Sequence, residues 1–115
     1  MLDWTGKKSF LLGNAEFTLD LTAGYDRRPS EDGNFTLVKN RSYLRDYLRL
    51  KRNRYEHILE LGVFQGGSMV FFDKLFKPEK IVGVELAEQP VAALDAYIRS
   101  EAPHMKVFYG ASQDD

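Results

Sequence analysis

The sequence predicts an α/β fold that contains the first half of a doubly wound parallel sheet, in the order β-α-β-α-β. Two observations lead to this prediction. Three short apolar runs, near residues 58, 82 and 107, alternate with segments whose apolar residues recur at helical spacing. A glycine-rich turn, Gly62 to Gly67, joins the first run to the first helix, where the backbone can approach a ligand closely.

Residues 1–54 are predicted to form a short lead-in that is β-rich or irregular and ends in a helix. Apolar side chains at every second position predict a half-buried strand: Phe17, Leu19 and Leu21. Turn-forming residues are dense between 24 and 34, and a short strand is predicted at 35–38. A helix at about 42–51 follows, with Asn40 or Ser42 as its N-cap.

Residues 55–115 are predicted to contain the parallel sheet and its helices. Strands are expected at 57–61, 80–85 and 105–109, with helices at about 67–76 and from Gln89-Pro90 to Pro103. This order is the first half of a Rossmann-like sheet. Because such sheets usually contain six or more strands, we expect the chain to be an N-terminal fragment of a larger domain.

Composition and charge restrict the class of protein. There are no cysteines, and no secretory leader or bilayer-spanning apolar run is evident, so a cytoplasmic protein without membrane contact is expected. Four basic side chains share one face of the lead-in helix: Arg41, Arg45, Arg49 and Arg52. Because Leu44, Tyr47 and Leu48 form a separate apolar face, we interpret the segment as an amphipathic helix with a solvated basic side and expect no nucleic-acid partner.

Three classes of ligand bind at a glycine turn after a first strand. A P-loop requires lysine after its second glycine, whereas Ser68 follows Gly67 here. Dinucleotide binding requires a middle glycine, whereas Phe64 occupies that position, so NAD remains an alternative that this side chain disfavours. The third class of ligand is S-adenosylmethionine, which has no pyrophosphate, so the middle glycine is less strictly required for it. Glu85, 23 positions after Gly62, is placed to accept hydrogen bonds from ribose hydroxyls.

The turn and its surroundings resemble a known family. The segment Glu60-Leu61-Gly62-Val63-Phe64-Gln65-Gly66-Gly67-Ser68 resembles motif I of class I S-adenosylmethionine-dependent methyltransferases. The resemblance is closest to the branch that contains macrocin and rhamnosyl O-methyltransferases and cephalosporin hydroxylase-like proteins. Residues 82–86 resemble motif II, and residues 110–114 resemble the loop that holds adenine.

The resemblance implies a role for each matching residue. Glu60 would contact the methionine ammonium, Glu85 both ribose hydroxyls, and Leu86 the cofactor as part of motif II. Gly62, Phe64 and Gly66 would shape the turn. Gly67 and Ser68 would face the methionine carboxylate at the positive end of the helix dipole. The adenine would lie against Ser112 and Gln113.

The implied activity is methyl transfer from S-adenosylmethionine to a hydroxyl of a small molecule or sugar. In the resembled enzymes a divalent metal helps to ionise that hydroxyl, but its ligands follow later strands. We therefore assign no metal ligand and no catalytic residue here, and we expect the chain alone to lack full activity. Homo-oligomer formation stays open. The competing hypotheses are a non-catalytic nucleotide-binding module and a fragment of an NAD-dependent oxidoreductase.

Overall fold

A computed structural model describes residues 2–22 and 28–111. The chain is α/β, with two small sheets and three helices in the described ranges. Their bounds are β1 Asp3–Trp4, β2 Ser9–Leu12, β3 Ala15–Leu19, β4 Asn34–Leu37, α1 Arg41–Leu50, β5 His57–Leu61, α2 Gly67–Phe76, β6 Lys80–Glu85, α3 Ala92–Glu101 and β7 Met105–Tyr109. None of the helices in this part of the chain is long and apolar enough to cross a membrane.

The second sheet is parallel and has the order β5-β6-β7. Its strands and α2 have the predicted bounds, which confirms the predicted parallel sheet. The central strand pairs Val84 with Leu61 on one side and with Phe108 on the other. Helix α3 was predicted to begin at Gln89-Pro90, but it begins at Ala92.

The first sheet has the order β1-β2-β3-β4, in which β3 and β4 are parallel and the other pairs are antiparallel. The predicted alternation holds for Phe17 and Leu19, which are buried. It is wrong for Leu21, which is 62% exposed because β3 ends at Leu19. Asp20 Oδ1 accepts a hydrogen bond from the Thr22 backbone N–H at 2.8 Å, a local turn that competes with further strand pairing.

Helix α1 begins after Asn40, whose Oδ1 accepts a hydrogen bond from the Tyr43 backbone N–H at 3.1 Å. Leu44 is buried, and the Tyr47 ring meets the Phe72 ring edge-on at 4.9 Å between centroids. The four arginines of the predicted basic side are all exposed: Arg41, Arg45, Arg49 and Arg52.

Helix α2 packs against both sheets and belongs to one buried cluster that includes side chains from each. Phe71 meets Phe10 and Phe17 edge-on, with centroid distances of 5.9 and 5.8 Å. On the other sheet, a Cβ added at Gly83 would lie 2.4 Å from the sulfur of Met69, so β6 and α2 approach closely.

A buried carboxylate ties α2 to α3 and to the start of β7. Asp73 accepts a hydrogen bond from the Tyr97 hydroxyl at 2.6 Å and is also in contact with His104 Nε2. Burial, and after it the Asp73 carboxylate, raises the pKa of Tyr97 above the normal range, so the hydroxyl keeps its proton.

Candidate functional site

The glycine turn between β5 and α2 contains three residues in the left-handed region. Gly62, Phe64 and Gly66 have φ values of 84°, 54° and 82°. The Phe64 ring lies beside Gly62, because a Cβ added there would be 3.4 Å from the ring. A non-glycine residue in this region costs about 1–3 kcal/mol, so the surrounding contacts must hold the turn in place.

Glu85, the last residue of β6, holds the turn with its side chain. Its Oε1 accepts hydrogen bonds from the backbone N–H groups of Val63 at 2.9 Å and Phe64 at 2.8 Å. Its Oε2 accepts one from Ala87 N–H at 2.9 Å. Burial alone would raise the pKa of Glu85, but the N–H groups of Ala87, Phe64, Val63 and Leu86 outweigh it. The pKa is therefore below its ordinary value, and the carboxylate is charged at neutral pH.

These contacts use most of the acceptor capacity of Glu85. A carboxylate offers about four acceptor positions, and three are occupied by the backbone donors of Val63, Phe64 and Ala87. The Leu86 N–H group is a fourth backbone donor to the carboxylate. A ribose with two hydroxyl donors would therefore have to replace backbone donors.

Two cavities meet at Phe64 and Glu85, on the side of the sheet where the parallel strands end. The first has a volume of about 470 Å³ and is lined by Leu61, Gly62, Phe64, Val84, Glu85, Leu86 and Ala111. The second has a volume of about 570 Å³ and is lined by Pro29, Ser30, Phe64, Gln65, Glu85, Ala87, Gln89, Pro90, Val91 and Ala92. Ligands of parallel α/β sheets bind at this end of the strands.

The lead-in covers the start of α2. Ser30 Oγ donates a hydrogen bond to the Gln65 carbonyl at 2.7 Å, and Ser30 N–H donates to Gln65 Oε1 at 3.0 Å. Gly67 is buried against β4, where an added Cβ would lie 2.1 Å from the Thr36 carbonyl oxygen. The structure therefore gives Gly67 a packing role between α2 and β4, while Ser68 beside it is partly exposed.

Glu60 lies on the helix-covered side of β5 and does not line either cavity. Among the described residues its side chain has no hydrogen bond or ion pair. Burial raises the pKa of Glu60, and the nearby Lys39 ammonium lowers it by less, so the pKa lies above its ordinary value. A half-buried carboxylate without a bound donor can accept a further cation.

The cavity of about 470 Å³ thus brings together four residues predicted from the sequence: Gly62, Phe64, Glu85 and Leu86. Gly66 and Gly67 in the turn, and Ser68 and Glu60 beside it, lie outside that lining. Ser112 and Gln113 are outside the described residues. The sequence did not predict Ser30 and Gln65 as part of the site, because only their contact across 35 positions shows that the lead-in reaches the turn.

The described part of the chain contains no group of three or more histidine, aspartate or glutamate side chains that could hold a metal ion. No protein-family model, curated protein or solved structure matches this chain.

Proposed function

We propose that the parallel sheet is the first half of a Rossmann-like domain that binds S-adenosylmethionine for methyl transfer to a small-molecule or sugar hydroxyl. One observation carries the proposal. Glu85 ends the central strand and faces the glycine turn beside a cavity of about 470 Å³ at the ligand-binding end of the sheet.

The chemistry of the cavity lining supports a nucleoside. Leu61, Val84 and Leu86 give an apolar wall suited to a purine, and Glu85 is an ionised acceptor suited to ribose hydroxyls. Glu85 would exchange a backbone donor for a ribose hydroxyl, which keeps its charge satisfied throughout binding.

Phe64 supports a cofactor without a pyrophosphate. Its ring lies against Gly62, where the backbone of a dinucleotide-binding turn must stay open to phosphate oxygens. Glu60 would supply a carboxylate for the methionine ammonium, and the partly exposed Ser68 in the first turn of α2 would face the methionine carboxylate at the positive end of the helix dipole.

S-adenosylmethionine would supply an electrophilic methyl group on its sulfonium. The residues described here would bind and orient the cofactor, while removal of the acceptor's proton is assigned to none of them. In the resembled O-methyltransferases a divalent metal assists this step, and the proposal includes such a metal without assigning it a ligand among the described residues.

Calorimetric titration with S-adenosylhomocysteine and with NAD tests the proposal. We expect S-adenosylhomocysteine to bind and NAD to bind far more weakly. Glu85→Gln should weaken S-adenosylhomocysteine binding by about 1.5–3 kcal/mol, because an ionised acceptor is lost. Glu79→Gln is the matched control, since this exposed acid lies before β6, away from the cavity. A urea unfolding curve of each variant reports loss of folding separately.

Two outcomes would contradict the proposal. Tighter binding of NAD than of S-adenosylhomocysteine would favour the oxidoreductase hypothesis. Equal binding of ATP and S-adenosylhomocysteine, with no contribution from the methionine portion, would favour a non-catalytic nucleotide-binding module.

A further inference from the structure

A further cavity lies between the N-terminal strand and helix α1, away from the candidate site. Its volume is about 390 Å³, which is within the usual range of small-molecule sites. We call it the lead-in cavity, and its lining consists of Leu2, Trp4, Arg41, Leu44, Arg45 and Leu48. None of these residues lines the two cavities that meet at Phe64 and Glu85, and all of them precede the parallel sheet.

The apolar wall of the lead-in cavity is held in place by the core. Leu44 is buried and anchors α1, while Leu48, one turn further along, is partly exposed. The Trp4 ring packs against the buried Phe10 ring, with 5.0 Å between the centroids. Leu2 is also packed against the core. Because these contacts already fix the wall, an apolar ligand can lie against it without first ordering these side chains.

Two guanidinium groups line the same cavity. Arg41 and Arg45 are one helical turn apart, so both side chains lie on one side of α1. The Arg41 guanidinium stacks on the Trp4 ring, with its central carbon 3.7 Å from the ring centroid. Stacking leaves the N–H groups at the edge of the guanidinium plane available, and these groups can donate paired hydrogen bonds to a carboxylate.

No carboxylate in the described part of the chain neutralises these two cations. The ion pairs among residues 2–22 and 28–111 include neither Arg41 nor Arg45. Asp46, which follows Arg45, lies 3.8 Å from Arg49 instead. Asp3 is not among the lining residues, since side chains alternate along a strand. An apolar wall with a few charged donors is typical of small-molecule sites.

We propose that the lead-in cavity binds a small organic anion that carries a carboxylate on an apolar chain. The carboxylate accepts hydrogen bonds from Arg41 and Arg45. The apolar chain lies along Leu44, Leu48 and Trp4. Since Arg41 and Leu48 are about 10 Å apart along α1, an extended chain of about eight carbon atoms covers the wall. This binding does not depend on the cofactor of the proposed methyl transfer.

Octanoate and 1-octanol are the probes, because they share an alkyl chain and only octanoate is an anion. Trp4 is the only tryptophan in the chain, so its fluorescence emission reports on binding in the lead-in cavity. We expect octanoate to change this emission saturably and to bind roughly tenfold tighter than 1-octanol at low salt. Calorimetric titration of both probes measures their affinities independently of the emission.

Replacement of both arginines tests the assigned carboxylate contacts. Arg41→Gln combined with Arg45→Gln should weaken octanoate binding by roughly tenfold, because the hydrogen bonds from charged donors are lost. The affinity for 1-octanol should stay the same. Arg49→Gln combined with Arg52→Gln is the matched control, since it removes the same charge from exposed side chains outside the cavity lining. It should leave octanoate binding unchanged.

Four results would overturn the proposal. Octanoate might show no saturable binding by calorimetry, or it might bind no more tightly than 1-octanol. Binding that leaves the Trp4 emission unchanged would place octanoate elsewhere on the protein. An equal loss of affinity in the two double variants would show that only the net charge matters, and not the cavity.

Discussion

Replacement of Gly67 by alanine tests the contact that joins the lead-in to the glycine turn. An added Cβ would lie 2.1 Å from the Thr36 carbonyl oxygen and 2.9 Å from the Leu37 Cα. Both atoms belong to the backbone of a buried strand, so no side-chain rotation relieves the clash. Since ordinary Cβ contacts begin at 3.4 Å, α2 and β4 would have to separate by more than an ångström.

The expected loss of stability follows from two opposing effects. Alanine favours helix over glycine by up to about 1 kcal/mol. Overpacking of a well-packed core costs about 1–3 kcal/mol and more where the neighbours are rigid. We expect a net decrease of about 2 kcal/mol in the free energy of unfolding, a large part of the 5–15 kcal/mol typical of a domain.

Urea unfolding of three glycine variants provides the measurement. Gly83→Ala should cost less than Gly67→Ala, because the atoms nearest to its added Cβ belong to the side chains of Met69 and Val63, at 2.4 and 2.8 Å, and not to the backbone. Gly6→Ala should have almost no effect, since no atom lies within 4 Å of its added Cβ. A midpoint for Gly67→Ala equal to that of Gly6→Ala would refute the inferred packing of α2 on β4.

Two further substitutions test a buried hydrogen bond to a carboxylate and the ionisation of a half-buried carboxyl group. Tyr97→Phe should lower the free energy of unfolding by about 1.5–3 kcal/mol, because it removes a buried hydrogen bond to the Asp73 carboxylate. Tyr43→Phe, at an exposed site, is the control. Equal urea midpoints for the two variants would contradict the role of this hydrogen bond. Glu60→Gln should stabilise the protein at pH 7, because burial raises the pKa of Glu60 in the folded state and its ionisation opposes folding. This gain in stability should disappear as the pH falls below 4.5, where the Glu60 carboxyl becomes protonated in both the folded and the unfolded protein. A gain that is constant from pH 4 to pH 7 would contradict the role given to the ionisation of Glu60.

The sequence predicted the second half of the chain more completely than the first. Strands β5, β6 and β7 and helix α2 have the predicted bounds, because each is bounded by turn residues such as Pro78 or by the glycine turn. These signals act within a few residues. The lead-in has weaker signals: β1 has two residues and β2 four, and neither was predicted as a separate strand.

The sequence predicted which residues belong to the candidate site, but it did not predict the contacts between them. The sequence identified Gly62 and Glu85 from their spacing, since a strand, a turn and a second strand fix their approximate positions, and the resemblance added Phe64. It did not predict that the Glu85 carboxylate binds the N–H groups of Val63 and Phe64, which depends on atomic distances across the turn.

The sequence by itself determined the order of strands and helices in the parallel sheet, because apolar periodicity and turn residues are local properties of the chain. Only the tertiary structure decided the parallel pairing of β3 with β4 and the packing of Gly67 on Thr36. These features join residues far apart in the chain. Their partners are selected by the joint burial of the two sheets around α2, which no short segment encodes.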